Sequence, residues 1–342
     1  MSKYFNSDSI ITEHISEAQL KAYFVGFDFG VFRYEALTNK IMEAIVDFAF
    51  GCHEGILSTY KLAELRDAAQ LIYKIEEYDP NNKNHLKKGN IPYKNAEEFK
   101  ESRYYNRGEF GELILHLILR DFMETTPLLS KIFMKDSTGI TVKGLDAVHI
   151  GRDLSDPTKK SLYLGESKLH RTGETGVKEL LKDVKEHFNR NFLKGEFLLI
   201  GNKKNNFLPI DEYKDKNTID DYKEFIKEKN YWYNKLKAVQ KGEEKLQDIF
   251  SSVTIPMICT YTSALFETHT DESTDEFKSE FKKEIESLQK KFQDGVELIK
   301  QNATVGEPIA TDLNIILMLF PIPDKKILVK KLHEKLSHQQ RA

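Results

Sequence analysis

Two short apolar runs on either side of a polar loop constrain the fold of this chain more than any other feature. Residues 145–150 and 162–164 are rich in strand-forming side chains. Residues 153–160, between them, are a cluster of turn-forming residues with Pro157 at the centre. The pattern predicts two antiparallel strands joined as a hairpin.

Three polar side chains are predicted to converge at the open end of this hairpin. A symmetric pairing of the strands about the loop places Asp146 opposite Ser167, between Glu166 and Lys168. Since residues two apart on a strand share one face, Glu166 and Lys168 point the same way, and Asp146 can reach the same point. The rest of that face is apolar, where carboxylates are costly unless they are paired or bind a cation. The hairpin therefore predicts an acidic metal site.

The Glu-x-Lys spacing alone is not informative, because 31% of the residues are charged. The same spacing occurs in polar stretches at Glu98/Lys100, Glu212/Lys214, Glu243/Lys245, Glu276/Lys278 and Glu280/Lys282. Only Glu166/Lys168 lies at the end of an apolar run. The alternative interpretation is that Asp146 merely starts a strand and that Glu166 and Lys168 form an exposed ion pair.

A helix is predicted upstream, where Arg-Gly-Glu-Phe-Gly-Glu runs into an apolar stripe that cannot continue past Pro127. We expect this helix to cover the apolar face of the hairpin. Gly108 and Gly111 permit close approach of the helix to the sheet. Glu112, or alternatively Glu109, could then supply a further metal ligand. The other role open to either glutamate is stabilisation of the positive end of the helix.

The order of elements around the hairpin is helix, strand, strand, strand, helix, strand. It takes residues 131–134 as the first strand, residues 173–190 as the second helix and residues 196–200 as the last strand. This order and the motifs resemble the PD-(D/E)xK nuclease superfamily, in which an Asp at the start of the second core strand and a Glu-x-Lys on the third form the active site. The resemblance implies an α/β fold with a restriction-endonuclease-like core, a central mixed sheet flanked by helices. Gly-Leu-Asp146 replaces the Pro-Asp of the superfamily, and the proline has no chemical role.

On this interpretation Asp146 and Glu166 bind one or two Mg²⁺ or Mn²⁺ ions, with the backbone carbonyl of Ser167 as a further oxygen ligand. Lys168 orients the nucleophile or stabilises the charge that develops on the phosphorane. A second metal ion would bring a glutamate of the upstream helix into the site.

More narrowly, the chain of 342 residues looks like the HamA family, the nuclease subunit of the Hachiman anti-phage defence system. The motifs that carry this resemblance are Arg-Gly-Glu-Phe-Gly-Glu, Gly-Leu-Asp-Ala-Val-His-Ile and Leu-Gly-Glu-Ser-Lys. The resemblance implies a partner, the superfamily 2 helicase HamB. This helicase restrains the nuclease until the helicase engages damaged or aberrant DNA ends. The chain has no P-loop pattern, so ATP-driven movement must come from another chain. Two alternatives stay open: a nuclease of a restriction or repair system, and a catalytically silent nuclease fold that binds DNA or protein.

The net charge of −3 argues against a protein that coats nucleic acid nonspecifically. The local charge near the predicted site is more favourable to DNA binding than the net charge is. Basic residues follow the predicted active-site strand directly and could contact DNA phosphates. These residues are His170, Arg171, Lys178, Lys182 and Lys185. Their alternative role is a solvated helix face.

Composition predicts a soluble, cytoplasmic protein. No apolar run is long enough to cross a bilayer, and the first residues lack the apolar core of a signal peptide. Cys52 and Cys259 are far apart and have no partners at zinc-binding spacing. A reducing compartment is therefore expected.

Two regions are predicted. Residues 1–100 form an N-terminal α+β region, where contacts with a partner are expected, with a hairpin in residues 23–32 and helices at residues 34–50 and 61–78. Residues 101–342 form the nuclease domain.

The predicted nuclease domain carries a helical insertion at about residues 211–251 and ends in a strand-helix-strand extension of the sheet. The two strands of the extension are residues 255–262 and 313–320, and a capping box at residues 273–276 starts the helix between them.

Overall fold

A computed structural model describes residues 4–51, 62–75, 95–102, 104–129, 144–202, 219–304, 307, 309 and 313–341 of the chain. The strands are β1 (Ile11–Ser16), β2 (Leu20–Val25), β3 (Phe27–Asp28), β4 (Val31–Phe32), β5 (Thr126–Leu129), β6 (Ala147–Arg152), β7 (Lys160–His170), β8 (Val253–Thr262) and β9 (Asn314–Ile322). The helices are α1 (Tyr34–Glu43), α2 (Ile45–Phe50), α3 (Leu62–Ile72), α4 (Ala96–Lys100), α5 (Glu109–Asp121), α6 (Gly173–His187), α7 (Arg190–Asn202), α8 (Ile219–Lys241), α9 (Leu246–Phe250), α10 (Leu265–Thr268), α11 (Asp275–Gln301) and α12 (Lys325–Arg341).

A seven-stranded mixed sheet with the order β1-β2-β9-β8-β7-β6-β5 organises the fold, and helices flank it. Its centre is β7, β8 and β9, which run parallel to one another. Their nearly continuous apolar sequences are typical of strands buried on both faces, and almost every residue of β8 and β9 is buried. The α/β architecture and the two strands predicted after the insertion are confirmed.

The first strands of the chain belong to the same sheet. β2 pairs in parallel with β9, and β1 pairs antiparallel with β2. The predicted hairpin at residues 23–32 is therefore divided: its first part lies in β2, and β3 and β4 form a small separate hairpin that turns at Phe29 and Gly30. The predicted boundary near residue 100 does not separate two sheets, and the division into domains stays a prediction.

The predicted central hairpin forms, with a register one residue from the symmetric one. β6 and β7 pair antiparallel, with Ala147 opposite Gly165 and Arg152 opposite Lys160. The prediction that Asp146 lies opposite Ser167 was wrong by one residue, because Lys160 belongs to β7 and pairs with Arg152, which shortens the loop by one residue. The consequence for the site is small, since Asp146 still lies beside Glu166 and Ser167.

The helix predicted to cover the site covers the other face of the sheet. A Cβ atom on Gly111 of α5 would lie 3.3 Å from Ser167 Oγ, and a Cβ atom on Gly165 would lie 2.9 Å from Leu115 Cδ2. Alternate residues of a strand face opposite ways, so α5 packs against the face of Gly165 and Ser167. The face of Glu166 and Lys168 is covered by α6 instead. The expected place of the upstream helix was therefore wrong.

Residues 196–200 are helical, which corrects the strand predicted there. They lie in α7, whose buried residues Leu193, Phe197 and Ile200 follow the spacing i, i+4, i+7 of one helix face. A short apolar run is compatible with a strand or with a helix, and the helical spacing of the buried residues over the whole of α7 identifies a helix. The strand predicted at residues 131–134 lies outside the described residues, and β5, which contains Pro127, is the strand before the hairpin. β5 lies at the edge of the sheet, where proline is tolerated.

The described part of the insertion consists mainly of the helices α8 and α9, which a turn at residues 242–245 joins. Residues 211–218 and Cys52 lie outside the described residues. The helix of the capping box begins with Thr274 as the N-cap, whose side chain accepts a hydrogen bond from the Phe277 N–H. A final helix, α12, was not predicted. Among the described residues, no helix is both long and apolar enough to span a membrane.

Candidate active site

Asp146 lies at the point where β6 begins, and it is fixed by hydrogen bonds from β7. Its backbone N–H donates to the Gly165 carbonyl at 3.0 Å. Its Oδ2 accepts hydrogen bonds from the Ser167 backbone N–H at 2.9 Å and from Ser167 Oγ at 2.8 Å. Asp146 Oδ1 has no hydrogen bond with a described residue. One oxygen of the carboxylate is thus held by the sheet and the other is available to a ligand.

Glu166 and Lys168 each pair with a side chain of α6. His187 Nδ1 lies 2.6 Å from Glu166 Oε1, and Lys168 Nζ lies 2.5 Å from Asp183 Oδ2. Asp183 and His187 are one turn apart on α6, so they face the same part of the sheet. Glu166 is only 2% exposed. The alternative of an exposed ion pair between Glu166 and Lys168 is therefore wrong, because each residue has another partner and Glu166 is buried.

Glu166, Asp183 and His187 together could hold a metal ion. Each offers one donor atom, and these atoms all lie within 4.8 Å of one another. Carboxylate oxygens suit Mg²⁺ and Mn²⁺, and an imidazole nitrogen suits transition metals. The donor set is thus chemically suited to a divalent cation.

The charges in the site influence one another. Burial alone would lower the pKa of Lys168, but the hydrogen bond and charge of Asp183, with smaller contributions from Asp146 and Glu166, raise it above its ordinary value. Burial raises the pKa of Asp183, the charges of Lys168 and His187 oppose this, and the charge of Asp146 adds to it. Lys168 is therefore a permanent cation in this site at neutral pH.

The two glutamates of α5 differ in their partners. Both are buried. Arg107 pairs with Glu109 Oε1 at 2.5 Å, and the Arg107 guanidinium lies 4.7 Å from the Tyr73 ring centroid. Glu109 is thus engaged away from the hairpin, whereas Glu112 follows Gly111, the residue that contacts Ser167. That contact is on the face of the sheet opposite Glu166, and neither glutamate belongs to the group of possible donors formed by Glu166, Asp183 and His187. The role of each glutamate stays a prediction, as does that of the Ser167 carbonyl.

The basic residues predicted to contact DNA lie beyond the site. Lys178, Lys182 and Lys185 are exposed on α6, while Asp183 of the same helix is buried. Arg171 is exposed and His170 is half-buried at the end of β7. Binding of DNA by these residues stays a prediction.

Sequence reasoning missed Asp183 and His187. Their signal is a polar pair at i, i+4 beside the apolar stripe of α6, in the first helix after the active-site strand. A carboxylate at a position that faces the sheet requires a partner, and Lys168 was already predicted to face that way. The pairing could therefore have been proposed from the helical period.

Comparison with known proteins gives one family. A family model described as HamA matches residues 2–336. No curated protein and no solved structure was found to match the chain.

Proposed function

The chain belongs to the HamA family and is a component of the Hachiman anti-phage defence system, and on this premise we propose that it is a metal-dependent DNA endonuclease of the PD-(D/E)xK superfamily. In this proposal it is the effector subunit of the defence complex, and it degrades DNA by phosphodiester hydrolysis. A superfamily 2 helicase of the HamB type holds it in check and activates it.

The observation that carries the proposal is the convergence of Asp146, Glu166 and Lys168 at one end of the β6–β7 hairpin. Two carboxylates and an ammonium group lie there beside a buried Asp183, each held by a named partner. Isolated buried charges are costly, and groups of this kind cluster at functional sites. A purely structural role would not require three charged groups on a face that continues into the apolar core.

The residues present fit a divalent cation. Glu166 and His187, which with Asp183 offer donor atoms within 4.8 Å of one another, would hold it together with Asp146. Glu112 is kept as the additional ligand proposed from the sequence. When bound, Mg²⁺ or Mn²⁺ polarises a phosphate and lowers the pKa of a bound water. Asp146 suits the role of a metal ligand, because Ser167 holds its Oδ2 by hydrogen bonds and leaves its Oδ1 available.

The chain's own residues position the reacting groups. Lys168 presents a cation toward the phosphate, where it would stabilise the negative charge that develops during hydrolysis. Asp183 fixes the Lys168 ammonium, so this cation is oriented before substrate arrives. Packing of α6 over the sheet restricts water around Glu166, which strengthens the electrostatic interactions inside the site.

The test is DNA cleavage by the purified chain, with Mg²⁺ or Mn²⁺, in the presence and absence of the helicase partner. We compare the wild type with Glu166→Gln and Lys168→Ala, and we expect each variant to lose at least about a hundredfold in rate, as loss of a transition-state electrostatic contact does. Glu166→Gln keeps the size of the side chain, so it should preserve the fold.

The matched control is Glu276→Gln/Lys278→Ala, which removes an exposed Glu-x-Lys pair from α11. It should cleave like the wild type. Equal cleavage rates of the wild type and Glu166→Gln would refute the assignment of the active site. No cleavage under any condition, with the partner present, would favour the silent binding module. Cleavage that never depends on a helicase would favour a restriction or repair nuclease.

A further inference from the structure

Lys325, the first residue of α12, is a buried cation with no counter-ion in the described part of the chain. It is 9% exposed. Its ammonium forms no ion pair with any described residue and lies 4.8 Å from the ring centroid of Tyr105. Burial of an unpaired charge is costly, so an anion at this position would be favourable.

Arg171 flanks the same ring. Its Nε donates a hydrogen bond to Tyr105 Oη at 3.3 Å, and its guanidinium carbon lies 5.9 Å from the ring centroid. Tyr105 is itself buried, so the ring has a fixed position. Because Arg171 is exposed, a ligand can reach its guanidinium from solvent, and the link between Arg171 and Lys325 is their shared contact with the Tyr105 ring.

Neighbouring carboxylates are engaged by a different lysine. Lys326 pairs with Glu97, and its Nζ lies 3.7 Å from Asp324 Oδ2. Asp324 Oδ1 also accepts the Lys326 backbone N–H at 2.6 Å. Neither carboxylate forms an ion pair with Lys325, although the charges of both act on Arg171.

The positive charges at this edge of the sheet repel one another. Burial, with the charge of Arg171 adding to its effect, lowers the pKa of Lys325 to about 8. Burial and the charges of Lys325 and Lys168 lower the pKa of His170, against an opposing contribution from Glu179. A bound anion would relieve this repulsion and restore the ordinary preference of Lys325 for its charged form.

We propose that Lys325, Arg171 and Tyr105 form a phosphate-binding subsite for the backbone of DNA. The subsite lies at the carboxyl end of β7, and Arg171 is three residues beyond Lys168, roughly 10 Å along an extended chain. Its place at this end of β7 suits a phosphate of the DNA strand that is cleaved. This assignment rests on the proposed nuclease function. Phosphate contacts of this kind fix the position of a strand without reading its sequence.

The experiment measures binding of the full chain to a fluorescent DNA duplex in EDTA, which prevents cleavage, over a range of salt concentrations. We expect Lys325→Gln to weaken binding about tenfold and to reduce the slope of log affinity against log salt by about one, as loss of one phosphate contact does. Arg171→Gln should act similarly, and because Arg171 is exposed this change does not endanger the fold.

The matched control is Lys330→Gln. Lys330 lies on the same helix but pairs with Glu334 at 2.5 Å, so its replacement should leave affinity and salt slope as in the wild type. Wild-type affinity and slope in both Lys325→Gln and Arg171→Gln would overturn the subsite and leave the nuclease function standing. A wild type that neither binds DNA nor cleaves it with the helicase partner present would overturn both.

A second arm separates DNA from free phosphate. Inorganic phosphate is titrated without DNA while the thermal unfolding of the wild type and of Lys325→Gln is followed. A phosphate-dependent stabilisation that Lys325→Gln removes, together with unchanged DNA binding, would assign the cluster to free phosphate and overturn the proposal. Reduced DNA binding by Lys325→Gln, with the smaller salt slope, supports it.

Discussion

The ion pair of Lys168 and Asp183 joins two groups that burial would otherwise drive toward their neutral forms. Burial lowers the pKa of a lysine and raises that of an aspartate. The pair offsets this for Lys168, whose pKa is above its ordinary value, but not for Asp183, whose pKa is raised. Asp183 thus keeps the half-buried Lys168 ammonium charged, which suits a residue that must present a cation to a phosphate.

We expect Asp183→Asn to lower the cleavage rate by about tenfold to a hundredfold, because a misplaced catalytic group costs up to about a hundredfold. Affinity for Mn²⁺ should change by less than about threefold if Asp183 positions Lys168 and does not bind the metal itself. The measurements are single-turnover cleavage and titration of Mn²⁺ by electron paramagnetic resonance.

Glu186→Gln is the control for that change, since Glu186 is exposed on the same helix and lies 4.0 Å from Lys182. It should leave both quantities unchanged. A loss of Mn²⁺ affinity in Asp183→Asn as large as the loss of rate would contradict the positioning role and make Asp183 a metal ligand.

The sequence predicted the part of the site that depends on strand alternation. Asp146, Glu166 and Lys168 follow from a period of two and one hairpin. Their partners Asp183 and His187 depend on how α6 rotates over the sheet, and packing sets this angle. The exposed or buried state of a glutamate such as Glu109 depends in the same way on Arg107, which comes from outside the helix.

At the scale of elements, the contact of α5 with β7 sets the position of Ser167 and so of Asp146. Gly111 permits this contact, because a Cβ atom there would lie 3.3 Å from Ser167 Oγ and 3.5 Å from Leu169 Cβ. No atom lies within 4 Å of the corresponding position on Gly108, one turn earlier. Only one of the two glycines predicted to permit close approach is therefore required for it.

Gly111→Val should destabilise the chain by about 1–3 kcal/mol, the usual cost of overpacking. It should also reduce cleavage in the fully folded protein, because displacement of Ser167 disturbs both hydrogen bonds to Asp146. Urea unfolding and cleavage at low denaturant measure the two effects. Gly108→Val is the control and should cleave like the wild type. A Gly111→Val chain that is less stable yet fully active would show that α5 does not influence the site.

Elements with long apolar runs could be predicted from the sequence. Elements whose form or position depends on tertiary contacts were harder to predict. The apolar runs that became β8 and β9 are long and have a single interpretation. Residues 196–200 were too short a run to separate a strand from a helix, and only the contacts of α7 with its neighbours decide between them. The face covered by α5 was also open, because periodicity alone does not say on which side of a sheet a helix packs.

Across the whole molecule, a buried polar network joins the N-terminal helices to the hairpin. His116 Nε2 lies 2.9 Å from Asp47 Oδ2, and Arg120 Nε donates to the same oxygen at 2.8 Å. His116 Nδ1 lies 3.2 Å from His149 Nε2, and Thr125 Oγ1 lies 2.9 Å from His149 Nδ1. Both histidines are buried. The network connects α2, α5 and β6, three elements far apart in sequence.

Asp47 carries the negative charge of this network. Burial would raise its pKa, but Arg120 and His116 lower it to about 2. Removal of one partner of a buried ion pair typically costs about 3–5 kcal/mol, because the other charge loses that partner. We therefore expect Asp47→Asn to lower the free energy of unfolding by about that amount, measured by urea titration at pH 7.5. The control is Asp67→Asn, which alters an exposed pair with Arg66 and should change stability by less than about 1 kcal/mol.

The buried histidines make the stability of the whole chain depend on pH. Burial lowers the pKa of His116, against an opposing effect of Asp47, and it lowers the pKa of His149 further, with the charges of His116 and Arg120 adding to the effect. Below about pH 6.5 the unfolded imidazoles bind protons that the folded ones do not, so the free energy of unfolding falls as the pH falls. Above that pH both states are neutral and this dependence ends.

Urea titrations between pH 5 and pH 8 measure this slope. His149→Gln, whose amide can accept and donate hydrogen bonds in the same place, should make the acid dependence less steep. His338→Gln, on the exposed face of α12, should leave it unchanged. An acid dependence that is identical in the wild type and in His149→Gln would show that His149 does not contribute to it, and that other buried groups such as His333, whose pKa burial lowers to about 4, determine how the fold responds to acid.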